Sequence, residues 1–195
     1  MAGARHVHPR IAGQIGCLGP DCLVLDLGGG TGSARSLWAD TCTYMCLDID
    51  IHKLQGFKLK YPDGIALLSD ATRIPIRTGT VDALPCVNLT HHLSDDTLIR
   101  LINEGKRVLK DAGRFILVDA FSKPGWLERL LWKYDRGGHP RTARALFRIL
   151  SPRYEIIHWE CFILIRGYVL CTGTIPSLKR NSKKSPPRSA DRGHT

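Results

Sequence analysis

The run Val24-Leu25-Asp26-Leu27-Gly28-Gly29-Gly30-Thr31-Gly32-Ser33 constrains this chain more than any other stretch. It reads as a short apolar strand that ends on a carboxylate and enters a turn with four glycines in five residues. Ala34 to Asp40 is helix-compatible. Strand, glycine turn and helix start form the layout in which backbone N–H groups face a bound ligand. The rest of the chain is therefore expected to complete a nucleotide-type α/β fold around that turn.

The pattern downstream agrees. A short helix is expected around Arg10–Cys17, then strands at Cys22–Asp26, Thr43–Leu47, Ile65–Leu68, Val81–Leu89 and Arg114–Val118. Ile51–Lys60 and Asp95–Leu109 fit helices; the second starts at Ser94 and repeats Leu98, Leu101, Ile102 and Leu109 at helical spacing. Strand and helix alternate, which predicts a parallel sheet with right-handed crossovers. Ligands of such sheets lie at the carboxyl ends of the strands, and four of these five strands stop at an acid: Asp26, Asp48, Asp70 and Asp119. Pro85 falls inside the fourth strand, where it removes a ladder donor.

Beyond Asp119 the pattern changes. Gly125–Tyr134 reads as an amphipathic helix with Trp126, Leu127, Leu130, Leu131 and Tyr134 on one stripe, and Arg141–Leu150 as another helix. Tyr154–Leu164 and Tyr168–Thr172 form an expected hairpin across Arg166-Gly167. The expected division is an N-terminal segment (1–21), one domain (22–176) with a basic amphipathic insert at 121–150, and a disordered basic tail (177–195).

With 195 residues, 43% of them hydrophobic, the chain can bury one ordinary core. Its net charge of +10 is unevenly placed. Residues 1–120 balance to zero, while 121–149 and 177–195 carry +5 each. The seven cysteines form no Cys-x-x-Cys pair, which argues for free thiols over a disulfide framework or zinc site. No apolar run spans a bilayer and no signal-peptide stretch is evident, so a cytoplasmic location is expected.

The chemistry follows from the acids. The spacing Gly28-x-Gly30-x-Gly32 puts Ser33 where a dinucleotide fingerprint wants its third glycine, and the Gly-Lys-Ser/Thr ending of a Walker loop is absent. Asp26 would repel a pyrophosphate at the turn but suits a cationic amino group. Asp48 can accept two ribose hydroxyls. Asp70, followed by Ala71, can accept from an adenine amine. Amino group, ribose and adenine together describe S-adenosylmethionine. No histidine or carboxylate cluster has metal-ligand spacing, so no metal is expected.

On these residues the chain resembles the class I S-adenosylmethionine-dependent methyltransferases. It is closest to the methyltransferase type 11 group that includes ubiquinone- and menaquinone-biosynthesis enzymes. Val24 to Gly32 resembles the family's first motif, and Leu47-Asp48-Ile49-Asp50 its second-strand acid. Asp70-Ala71 with Ile74-Pro75-Ile76 resembles its adenine-side motif. Val81-Asp82 and His91-His92-Leu93 resemble its fourth strand and exit, and Glu104, Arg107 to Lys110 and Gly113-Arg114 its approach to strand five. Asp111-Ala112-Gly113 departs from the usual Pro-Gly-Gly turn.

The resemblance implies a Rossmann-like, mostly parallel seven-stranded sheet with an antiparallel C-terminal hairpin and helices on both faces. It implies cofactor contacts from Asp26, Gly28, Gly30, Gly32, Asp48, Ile49, Asp70, Ala71 and Asn88. It also places His91, His92 and Asp119 near the reacting centre, where a histidine can orient a substrate or take its proton.

The substrate is expected to be a small amphipathic or anionic molecule, met by the leucine and aromatic stripe and the arginines of the insert. The same basic residues, with the tail, suggest peripheral contact with an anionic membrane. An RNA methyltransferase or a basic RNA-binding protein is a less favoured alternative. The tail lacks interleaved aromatics, and Asn88-Leu89-Thr90-His91 is no base-gripping motif. An inactive cofactor-binding protein is a further alternative.

Overall fold

The computed structural model describes residues 4–15, 21–125, 132, 137–164 and 166–176. Its centre is a seven-stranded sheet: β1 (Leu23–Leu27), β2 (Thr43–Asp48), β3 (Ile65–Leu68), β4 (Val81–Val87), β5 (Leu109–Phe121), β6 (Glu155–Ile163) and β7 (Gly167–Thr174), in the spatial order β3-β2-β1-β4-β5-β7-β6. β1 to β5 run parallel, and β7 inserts antiparallel between β5 and β6.

Side-chain alternation sorts the core into two layers. Leu25, Leu27, Leu47, Leu84, Phe115 and Leu117 pack on one face with the helices α3 (Asp95–Val108) and α4 (Ala143–Leu150). Val24, Tyr44, Cys46, Ala83, Ile116 and Val118 face the other way, toward α1 (Ala4–Ile15) and α2 (Ile51–Lys60). Local chemistry starts the helices. The Asp50 carboxylate accepts the His52 and Lys53 amides, Ser94 Oγ that of Thr97, and Thr142 Oγ1 that of Ala145.

Three local expectations change. Only a 3-10 turn, Arg35–Leu37, forms where Ala34–Asp40 was expected to be helical. Ala34, at its N-cap, offers no side-chain acceptor to the first amides, and the Arg35 guanidinium donates to the Trp38 carbonyl at 3.1 Å just past the turn. β5 starts directly at Leu109 rather than after Ala112-Gly113: Leu109 pairs with Val81, and pairing resumes at Arg114 opposite Ala83, so residues 110–113 bulge out. The N-terminal helix runs Ala4–Ile15 instead of starting at Arg10.

Pro85 keeps its place in β4. The ladder to β5 passes through Pro85↔Ile116, while the ladder to β1 holds only Val24↔Ala83 and Leu27↔Cys86 on either side of it. The missing donor is thus absorbed on one edge. The expected helix Gly125–Tyr134 lies largely outside the described residues, as does the tail 177–195. No described helix is long and apolar enough to cross a membrane.

Candidate functional site

The strand order reverses between β1 and β4, which opens a crevice at their carboxyl ends. β1 delivers the glycine turn to one side of it. Gly28, Gly30 and Gly32 have φ of +66°, +58° and +74°, values that a Cβ disfavours. Close approach adds a second reason for glycine: a Cβ on Gly28 would lie 2.8 Å from Leu89 Cδ1, in the loop after β4. The two loops therefore meet across the switch point.

Asp26 is buried beside this turn; a Cβ on Gly29 would fall 2.7 Å from its Oδ2. The Tyr44 hydroxyl donates to Oδ2, while Oδ1 is buried without a partner among the described residues. Burial pushes the Asp26 carboxyl up to about 7, the Tyr44 hydrogen bond opposes that, and nearby Asp48 adds to it. Asp48 is also buried. Its Oδ2 accepts the Gly30 amide at 3.0 Å and its Oδ1 the Asp50 amide at 2.9 Å. Two buried carboxylates against one glycine turn exclude a pyrophosphate there. The short 3-10 turn adds no helix macrodipole to attract one.

The unpartnered Asp26 oxygen fits a cationic group, because a buried carboxylate oxygen with no donor is costly. The residues expected at an adenine lie at the ends of β2 and β3. Ile49 is 74% exposed after Asp48, and Leu68 is 58% exposed at the end of β3. Asp70 is exposed; its Oδ1 accepts the Thr72 amide at 2.8 Å, and Ala71 follows in that turn. Glu104 and Arg107 of α3 clamp the segment behind it. Glu104 Oε2 accepts the Ile74 amide, and Arg107 donates to the Ile74 and Ile76 carbonyls. Hydrogen bonds from Arg107 hold the Glu104 carboxyl below the ordinary range.

On the other side of the crevice, Asn88 has φ of +53°, and its amide donates to the Val118 carbonyl. A 3-10 turn, Thr90–His92, follows. Asp119, fully buried at the end of β5, organises it. The carboxylate accepts from the Thr90 amide and hydroxyl, the His91 amide and the Ala120 amide, and it pairs with His91 Nδ1. His91 is buried and its ring lies 4.2 Å from that of exposed His92 and 5.8 Å, edge-on, from that of Trp132. The Arg166 guanidinium stacks over Trp132 at 4.8 Å.

All nine cofactor candidates thus lie at the carboxyl ends of β1 to β4, and the two histidines and Asp119 form one cluster beside them. Asp119 serves His91 and Thr90 from a buried position, so it does not face a substrate itself. Tyr44, Thr90, Trp132 and Arg141 were not anticipated as part of the site. Arg141 was expected only among the arginines that meet an anion. Instead Nη1 donates to the Thr90 carbonyl at 2.8 Å and Nη2 to the Leu93 carbonyl at 2.6 Å, while Nε donates to Asp95 at 2.7 Å. It braces the histidine turn. Tyr44 does share a strand face with Asp48 in the sequence period, but its reach to Asp26 needs the β1–β2 register. Among the described residues there is no metal-ligand cluster.

Sheet order, glycine turn and strand-end acids are those of the class I S-adenosylmethionine-dependent methyltransferase fold. Residues 25–117 match the family model described as a methyltransferase domain. No curated protein matches the chain. Several solved structures share its fold. A putative methyltransferase from Bacillus halodurans C-125 is 15% identical, with 86% of this chain and 98% of that one covered at a TM-score of 0.73. The YcgJ protein from Bacillus subtilis is also 15% identical, with coverage of 89% and 99% and a TM-score of 0.75. The geranyl diphosphate C-methyltransferase of Streptomyces coelicolor A3(2), crystallised with Mg2+, geranyl diphosphate and S-adenosyl-L-homocysteine, is 13% identical, with coverage of 88% and 80% and a TM-score of 0.74.

Proposed function

We propose that this methyltransferase transfers a methyl group to a small amphipathic anionic molecule bound over the ends of β4 and β5. The supporting observation is the stack of Trp132 and Arg166 beside His91: an apolar ring and a guanidinium at the crevice suit a ligand with an apolar body and a negative group. Geranyl diphosphate, the ligand of a structural neighbour, has that character.

The cofactor roles are assigned by position. Asp26 faces the ammonium, Asp48 the ribose hydroxyls, and Asp70 with Ala71 the adenine edge. Ile49 covers an adenine face, Gly28, Gly30 and Gly32 allow the backbone close to the methionine end, and Asn88 closes the β4 side. The sulfonium of the bound cofactor supplies an activated methyl carbon, so the protein's task is alignment. Proximity and orientation alone contribute on the order of 7–11 kcal/mol. His91, oriented by Asp119, and exposed His92 position the acceptor and receive its proton where the acceptor carries one.

The test has two parts. Calorimetric titration with S-adenosylmethionine and S-adenosylhomocysteine should give binding that Asp48→Ala abolishes; no binding by the wild type overturns the reading. A methyl-transfer screen of prenyl diphosphates, amphipathic carboxylic acids and RNA should give product from the first two groups. Turnover on RNA alone would reassign the substrate.

A further inference from the structure

Asp26 stands in an environment that works against its charge. Among the described residues no cation forms an ion pair with it. Its β2 neighbours are Tyr44, Cys46 and Asp48. Burial keeps the Cys46 thiol up to about 12, and Cys86 of β4, which also feels Asp26, is raised by burial as well. Both are therefore neutral. Asp48 carries a like charge. The Arg35 guanidinium lies 5.7 Å from the Tyr44 ring centroid, and Tyr61, just past α2, acts electrostatically on Tyr44. Among the described residues the single donor on the Asp26 carboxylate is the Tyr44 hydroxyl.

We propose that Tyr44 is a positioning residue for cofactor binding: its hydroxyl favours the ionised form of Asp26 over the protonated one and turns the carboxylate so that Oδ1 is left for the cofactor's ammonium, and it thereby sets the lower pH limit of binding. The inference rests on the cofactor roles given above. The division of labour follows from the two oxygens. Oδ2 is occupied by the tyrosine, and Oδ1 is buried without a partner. A hydrogen bond to the charged form favours that form, so its loss drives the carboxyl toward protonation and removes the charge the ammonium needs.

The test compares S-adenosylhomocysteine affinity of the wild type and Tyr44→Phe between pH 6.5 and pH 9. Titration of the cofactor's own amine cancels in the ratio at each pH. Loss of one hydrogen bond to a charged group corresponds to a shift of roughly one to two pKa units. The Kd ratio should therefore be about tenfold or more at pH 6.5 and under about twofold at pH 9. A ratio that stays constant across this range would make Tyr44 merely structural and overturn the proposal. Asp26→Asn should bind weakly at every pH, and adding Tyr44→Phe to it should change little.

Should Tyr44→Phe fail to fold, Tyr44→Gln and Tyr44→Met decide. The glutamine variant keeps a donor and should hold affinity at pH 6.5 closer to wild type than the methionine variant does, with the two converging at pH 9; identical pH profiles for the two overturn the proposal. Absence of wild-type binding at any pH would instead reject the cofactor roles themselves.

Discussion

Asp48 Oδ2 accepts the Gly30 amide at 3.0 Å, so a carboxylate at the end of β2 fixes the turn that follows β1. Its other oxygen accepts the Asp50 amide at 2.9 Å and so fixes the entry to α2. Asp48→Ala orphans both donors and should lower the unfolding free energy by about 1–3 kcal/mol. The same variant should lose cofactor binding. Urea denaturation and calorimetry read the two effects; wild-type affinity would remove Asp48 from the site.

Gly28 combines a positive φ with contact to Leu89. Gly28→Ala should cost about 1–2 kcal/mol for the left-handed backbone, plus the displacement of Leu89. Gly28→Ala/Leu89→Ala should recover the steric share relative to the sum of the single variants, leaving the backbone share. Thermal unfolding of the three variants separates them, and strict additivity would contradict the contact.

Asp26 makes the unliganded protein less stable as pH rises. Its folded value is about 7 against 3.8 ordinarily. Between roughly pH 4 and 7 the folded state keeps a proton that the unfolded state releases, so stability falls across that window. The fall is on the order of 4 kcal/mol at one pKa unit per ~1.4 kcal/mol. Asp26→Asn should remove it, giving a variant more stable than wild type at pH 8 than at pH 5. Equal differences at both pH values would show that Asp26 is ionised in the apo fold well below pH 7.

Asp119 gathers five donor contacts from Thr90, His91 and Ala120 in a fully buried position. Asp119→Ala leaves several buried donors unpaired and should cost at least about 3 kcal/mol. His91→Ala removes one of these contacts and should cost less. Denaturant midpoints at constant slope check the order; the reverse order would mean that the turn is held by the histidine ring.

Arg107 links Glu104 to the carbonyls of Ile74 and Ile76. Arg107→Ala should weaken cofactor binding through the adenine side by severalfold, with little change in the pH dependence set at Asp26. Glu104's folded value is lowered, so its contribution to stability is present above its ordinary range and fades as pH falls; the variant should lose that acid-side dependence. An unchanged acid limb would show that Arg107 does not set the Glu104 ionisation.

Much of the fold was legible because its signals are local. Ile51–Lys60 and Ile65–Leu68 stand where periodicity and turn residues placed them, and α3 and β4 differ only at their ends. Where the sequence misled, a longer-range demand won. Ala34–Asp40 has helix-compatible residues, yet only Arg35–Leu37 coils, as a 3-10 turn, before the chain reaches β2. Ala112-Gly113 resembles a helix stop, yet β5 pairs with Val81 four residues before the glycine. Arg141 was read as an arginine that meets an anion because nothing in the sequence reveals the Thr90 and Leu93 carbonyls and the Asp95 carboxylate that it reaches between β4 and α3.

By itself the sequence determined the parallel strands, the glycine turn and the acids that close each strand, because strand period, φ-permissive glycines and capping side chains act within a few residues. Only the tertiary structure decided what each acid does. Asp26, Asp48 and Asp119 are all aspartates at strand ends. Register gives the first a tyrosine and an unpartnered oxygen, the second the amide of Gly30, and the third the ring of His91. A carboxylate's charge and reach depend on which donors the neighbouring strands bring to it, and the order of neighbours is a property of the sheet.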